Sequence, residues 1–166
     1  MQHDVTDGVE WLIRRGIADP KRIAIYGKSY GGYAALAGIT FTPNLYKAAI
    51  DYAGVSNWLT WFDKIRNKAL VPQLYIKVGH PKKDRNLLEA IAPQLHADQI
   101  NTPVFIAHGA QDPFVSRTES DQMVAALQGA DVEYMVRTKE YHIFQNERNK
   151  IAFYKAMEAF LAKHLR

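Results

Sequence analysis

The chain has 166 residues, enough for one domain with a sizeable core, and its 48% hydrophobic and 23% charged residues are those of a globular protein. It has no cysteine, which excludes a disulfide framework and a thiolate metal site, and no apolar run reaches bilayer-spanning length. The net charge of +4 is spread out, so Arg14-Arg15, Lys21-Arg22 and Lys82-Lys83 read as solvated surface, with neither nucleic acid nor membrane as a partner.

No two histidines share a ligand-like spacing, so neither a metal nor another cofactor is expected. The N-terminus has no signal-peptide character, and a cytoplasmic location is the expectation.

Val5, Val9, Leu12 and Ile13 fall at helical spacing, with Asp4 or Thr6 as a cap and Gly16 as a stop. Asp19-Pro20 then turns the chain into residues 22–26, a short apolar run that reads as a buried strand. The run ends in Gly27-Lys28-Ser29-Tyr30-Gly31, and a small-residue helix continues to Thr40. Strand, Gly-x-Ser-x-Gly, helix is the context of a nucleophile elbow, a sharp turn that lifts a serine hydroxyl above the sheet in a strained backbone. Side chains two residues before and after would collide across that turn, so glycine is expected at 27 and 31. Gly32 lets the helix approach the strand closely, and the helix N-terminus aims its partial positive charge at the site.

Residues 47–52 form a second strand, closed by Ala53-Gly54. Helix, strand, helix, strand is the order of a parallel sheet built from crossover units. Residues 55–93 are the least regular part. Trp58, Trp61 and Phe62 cluster early, 64–68 is basic and polar, and 84–92 reads as one short helix. A strand at 103–107 leads into His108-Gly109-Ala110-Gln111-Asp112-Pro113. Residues 118–128 form an amphipathic helix with Met123, Val124 and Leu127 on one side, and 132–136 a fourth strand. A loop carrying His142 precedes a last helix at 149–165, with Ile151, Tyr154, Met157, Phe160 and Leu161 as its expected apolar face.

A serine hydroxyl needs a base to take its proton, and the base needs a third group to orient it. In α/β-hydrolases these follow in the order Ser, acid, His. Ser29, Asp112 and His142 have that order, each in a loop after a strand, and such loops gather on one edge of a parallel sheet. Taken singly, Asp112 before Pro113 also reads as a turn residue and His142 as a surface histidine. His108 is placed to shape the acid loop and not to serve as the base.

The chain resembles the catalytic domain of the prolyl oligopeptidase family of serine peptidases, near its acylaminoacyl-peptidase and dipeptidyl-peptidase-like members. The resemblance is carried by residues 19–33 around the elbow, by Ala53-Gly54-Val55-Ser56-Asn57-Trp58, by residues 108–115 and by the last helix. It implies an α/β-hydrolase fold, a mostly parallel sheet flanked by helices and truncated at the N-terminal side. Residues 1–166 would be one partial catalytic domain, without the upstream strands and the β-propeller. It implies Ser29 as nucleophile, Asp112 as orienting acid, His142 as general base and the Tyr30 N–H as an oxyanion donor. It also implies that Tyr30, Val55, Trp58 and Trp61 line an apolar pocket for the residue before the scissile bond, although two tryptophans also suit an ordinary core.

The implied substrates are short peptides or acylated amino acids, cleaved through an acyl-enzyme. A carboxylesterase of the same fold, and an inactive fragment that self-associates through the exposed edge of strand 22–26, are the alternatives. The family usually has glycine on both sides of the catalytic histidine. Here Tyr141 and Ile143 stand there, and their Cβ atoms are expected to crowd the loop.

Overall fold

A computed structural model describes residues 2–65, 69 and 71–166. Most of the basic segment 64–68 lies outside the described residues. Helix α1 spans Gln2–Arg14, and Gly16, at φ 67°, ends it in the left-handed conformation expected of a glycine stop. Strand β1 spans Ala24–Lys28, helix α2 Tyr30–Phe41 and strand β2 Ala48–Tyr52. β1 thus lies two residues later than the 22–26 expected and runs directly into Ser29, because Lys47 donates to the Ile23 carbonyl and pairing with β2 begins at Ala24.

Residues 55–93 hold more helix than their irregular sequence suggests. Helices α3 (Trp58–Lys64), α4 (Val71–Lys77) and α5 (Arg85–Ala90) precede a 3-10 segment at Pro93–Gln99. Only α5 corresponds to an expected helix. α3 starts because the Asn57 side chain accepts from the Leu59 N–H, a cap that a search for apolar periodicity passes over. Strand β3 (Val104–Gly109), helix α6 (Thr118–Ala126), strand β4 (Val132–Arg137) and helix α7 (Glu147–His164) complete the order.

The four strands are parallel, in the order β1-β2-β3-β4. Both faces are covered, as a parallel sheet requires. Ala49, Val104 and Ile106 pack on one face with Leu36 and Ile39 of α2 and Met123 of α6. Ala48, Ile50, Tyr52, Phe105 and Ala107 pack on the other with Phe153 and Phe160 of α7. Helix α7 is rotated from its expected orientation: Phe153, Ala156, Met157, Phe160 and Leu161 face the sheet, while Ile151 and Tyr154 are exposed. The large rings of Phe153 and Phe160, seven positions apart, pack against Phe105, the first stacked and the second tilted, and set that rotation.

The register pairs Lys28 with Tyr52, Tyr52 with Ala107 and Gly109 with Arg137, so the C-terminal ends of the strands form one edge. The loops carrying Ser29, Val55, Asp112 and His142 all leave from it. Among the described residues β1 is paired on one side only, and Tyr26 on it is half exposed.

Candidate active site

Ser29 sits between β1 and α2 at φ 58° and ψ −120°, one of two non-glycine residues with positive φ among those described. Such a backbone costs on the order of 1–3 kcal/mol and persists only where its surroundings hold it. Here the Ser29 N–H donates to the Tyr52 carbonyl at 2.8 Å, and the Ser29 carbonyl accepts the first helical bond of α2, from the Tyr33 N–H at 3.1 Å. A Cβ on Gly27 would overlap the Gly31 carbonyl, and a Cβ on Gly32 would lie 2.7 Å from the Gly54 Cα, so both positions require glycine. Gly31 does not. A Cβ there meets nothing within 4 Å, which corrects the expectation that both flanking glycines are sterically necessary.

Asp112 and His142 meet at 2.6 Å, Asp112 Oδ2 to His142 Nδ1, with the Asp112 side chain shut off from solvent. The other carboxyl oxygen accepts from the Phe114 and Val115 N–H groups at 2.8 and 3.0 Å, so the turn reading of Asp112 and its pairing with His142 hold together. Burial pushes this carboxyl up. The hydrogen bonds of His108, His142 and the two amides outweigh it and hold Asp112 well below the usual carboxylate range.

His108 braces the acid loop. It is fully buried, with Nε2 facing the Val115 carbonyl at 3.0 Å and Nδ1 facing Ser120 Oγ at 2.7 Å. A carbonyl opposite Nε2 requires the proton there, so in the neutral ring Nδ1 accepts from the Ser120 hydroxyl.

The loop of His142 is held by Glu140, a residue that sequence reasoning passed over. Its buried carboxylate accepts from the Gln145 and Asn146 N–H groups and from Asn149 Nδ2, at 2.5, 3.0 and 2.7 Å. Burial pushes this acid up, but those bonds and Lys150 nearby hold it below its ordinary range. The Phe144 N–H donates to the Tyr52 hydroxyl at 2.6 Å, and burial pushes that phenol up to about 12. Acid and base loops are tied by Gln111 N–H to the Glu140 carbonyl at 2.8 Å and by a close approach at Gly109, where a Cβ would overlap the Tyr141 carbonyl. Tyr141 and Ile143 adopt no positive φ, and their side chains are about half exposed, so the expected crowding does not arise.

Ser29 and His142 line one cavity of about 240 Å³ together with Tyr30, Val55, Trp58 and Trp61, the four residues implied for a substrate pocket, and with Leu74, Phe114 and Val115. Trp58 and Trp61 are also nearly buried, 5.6 Å apart edge to face, so the core and pocket readings both apply. Trp61 Nε1 donates to the Phe114 carbonyl at 3.0 Å, and the Phe114 ring stands edge to face against His142 at 5.5 Å. Among the described residues no hydrogen bond joins Ser29 to His142, although both line the same cavity.

Two further acids lie beneath the site. Asp51, on β2, is fully buried; one oxygen accepts from the Gly54 N–H at 2.8 Å and the other has no partner among the described residues. Burial pushes it up to about 7. Glu119, in the first turn of α6, is fully buried and surrounded by donors from Ser56, Asn57, Thr60 and Gln122. The Glu119 partners lie about sixty residues away in sequence, whereas Asp51 bonds Gly54 three residues on; apolar periodicity announces neither acid.

Comparison with known proteins extends the geometry. The family model of the prolyl oligopeptidase family matches residues 1–166. The chain is 37% identical to dipeptidyl aminopeptidase BIII of Pseudoxanthomonas mexicana, covering 99% of this chain and 25% of that protein. A puromycin-hydrolyzing peptidase of Mycobacterium tuberculosis superposes with a TM-score of 0.93 at 30% identity, over 99% of this chain and 25% of that one. The acylaminoacyl peptidase of Pyrococcus horikoshii superposes with a TM-score of 0.87 at 25% identity, over 99% and 28%. The chain thus spans about a quarter of the length of these relatives. Its parallel sheet with the serine elbow is that of the α/β-hydrolase peptidases, and the chain belongs to the prolyl oligopeptidase family.

Proposed function

We propose that the chain carries the catalytic groups of a serine peptidase, with Ser29 as nucleophile, His142 as general base and Asp112 as the acid that orients it. The carrying observation is His142, on the wall of the cavity that Ser29 enters from a strained elbow, held from behind by the buried Asp112 carboxylate. Asp112 accepts the Nδ1 proton, so Nε2 is the basic nitrogen. It takes the Ser29 proton as Oγ bonds to the substrate carbonyl carbon, then delivers it to the leaving amine. The Tyr30 N–H, at the start of α2, stabilises the oxyanion. Water attacks the acyl-enzyme in turn, with His142 again as base.

Tyr30, Val55, Trp58 and Trp61 receive the side chain before the scissile bond. Relatives named as dipeptidyl and acylaminoacyl peptidases support short peptides or acylated amino acids as substrates. The unpaired side of β1 takes another strand by edge pairing, which makes this chain self-associate. Sedimentation at micromolar concentration tests that, and a clean monomer removes it.

Labelling with a fluorophosphonate, read by intact mass with Ser29→Ala as control, tests the nucleophile. One adduct on the parent and none on the variant is the expected result. No adduct on folded protein turns the reading to an inactive, assembling fragment. An adduct with hydrolysis of a p-nitrophenyl ester but of no peptide amide marks a carboxylesterase.

A further inference from the structure

Glu119 is fully buried, and among the described residues no cation is a hydrogen-bond partner of it. A bare carboxylate is expensive to bury unless donors surround it. Oε2 accepts from the Ser56 N–H at 3.1 Å, the Asn57 N–H at 3.0 Å and Gln122 Nε2 at 3.0 Å, while the Ser56 hydroxyl donates to the Glu119 backbone carbonyl at 2.7 Å. Oε1 accepts from Thr60 Oγ1 at 2.6 Å. Every donor but Gln122 belongs to the turn after β2 or the first turn of α3, the stretch that holds Val55 and Trp58 against the cavity. The Asp112–His142 pair relies on other anchors, Glu140, His108 and the amides of 114 and 115.

We propose that Glu119 is a positioning residue for specificity: it fixes the Val55–Trp58 wall of the acyl-side pocket and leaves the nucleophile and its base unaffected. This rests on the reading of Ser29 as nucleophile. Val55 and Trp58 offer a substrate only apolar surface for a side chain that fills the cavity, whereas Trp61 also donates to the Phe114 carbonyl. Loosening their turn therefore weakens selection for a bulky apolar side chain without slowing attack on a small one. A glutamine at 119 keeps the wall, because its oxygen accepts the two amides while its NH₂ donates to Thr60 Oγ1, whose proton then turns from residue 119 to the Asn57 carbonyl 2.9 Å away.

The test compares two diphenyl aminoalkylphosphonates, one with the side chain of phenylalanine and one with that of glycine. Both report on Ser29 by intact mass without needing turnover. The parent is expected to react at least ~10-fold faster with the phenylalanine probe. In Glu119→Leu that ratio falls towards one while the rate with the glycine probe stays within about twofold, and Glu119→Gln restores the ratio. Thr60→Val, which removes a single side-chain donor, is expected to lower the ratio in part and keeps the test alive if the leucine variant does not fold.

A ratio unchanged in folded variants, or an equal slowing with both probes, overturns the inference in favour of a purely structural acid. A parent that labels without preference for the phenylalanine probe overturns it too. A folded parent that neither phosphonate nor fluorophosphonate labels removes the reading of Ser29 itself, and this inference with it.

Discussion

His142 Nδ1 lies 2.6 Å from Asp112 Oδ2, and this contact decides which nitrogen of the ring can act as a base. The acid side chain is closed to solvent and remains ionised, so it accepts the Nδ1 proton and leaves the Nε2 lone pair for the cavity.

Asp112→Asn keeps the shape of this contact and reverses its sense, because an amide NH₂ placed against Nδ1 donates. The ring then carries its proton on Nε2 and cannot take one from Ser29. Fluorophosphonate labelling is expected to slow by ~10³–10⁴-fold in a protein that still folds. A loss of less than tenfold in folded protein would mean that Asp112 serves only the turn.

Glu140→Ala leaves two part-buried N–H groups and the Asn149 amide without their acceptor. The expected loss is about 1–3 kcal/mol of stability, read as a lower denaturation midpoint at unchanged slope. Labelling of Ser29 is expected to slow as well, since the same bonds seat the loop of His142. Unchanged labelling in the destabilised variant would show that the base is held by Asp112 alone.

The elbow, the parallel sheet and the placing of Ser29, Asp112 and His142 in loops at one edge of that sheet are all legible, because each depends on local pattern or on the topology that local patterns impose. The strand at 22–26 was placed two residues early because apolar character does not record where pairing with β2 begins. The rotation of α7 was misread because Ile151 and Tyr154 are as apolar as the residues that face the sheet, and only the rings of Phe105, Phe153 and Phe160 decide between them. Glu119, Glu140 and Asp51 are not legible from apolar pattern, although the donors to Glu140 and Asp51 lie within nine residues of them. A buried acid is identified by the donors around it, and for Glu119 most of those come from a stretch about sixty residues away.

Two glycines of one motif are expected to part company. Gly27→Ala drives a Cβ into the Gly31 carbonyl and should cost several times more than the about 1 kcal/mol typical of a point substitution, or prevent folding. Gly31→Ala meets open space inside a helix and is expected to stabilise the protein by about 0.5–1 kcal/mol. Denaturant midpoints of the two variants decide the matter, and equal losses at both positions would count against the elbow geometry described here.

Asp51 should leave a signature in the pH dependence of stability. Its carboxyl ionises near 3.8 in the unfolded chain and, through burial, at about 7 in the folded one, although His108 and the Gly54 N–H favour the ion while Glu119 opposes it. Between those values the folded state binds more protons than the unfolded state, so raising the pH through this window removes stability. The loss is complete once the pH exceeds the folded value. Asp51→Asn cannot ionise and keeps an oxygen for the Gly54 N–H, so it escapes that loss. Relative to the parent, the variant is expected to gain roughly 2–4 kcal/mol on passing from pH 5 to pH 8. Other groups titrate in both proteins and cancel in the difference. A gap between the two unfolding curves that stays constant from pH 5 to pH 8 would place the Asp51 carboxyl in contact with water or with a partner that satisfies its second oxygen.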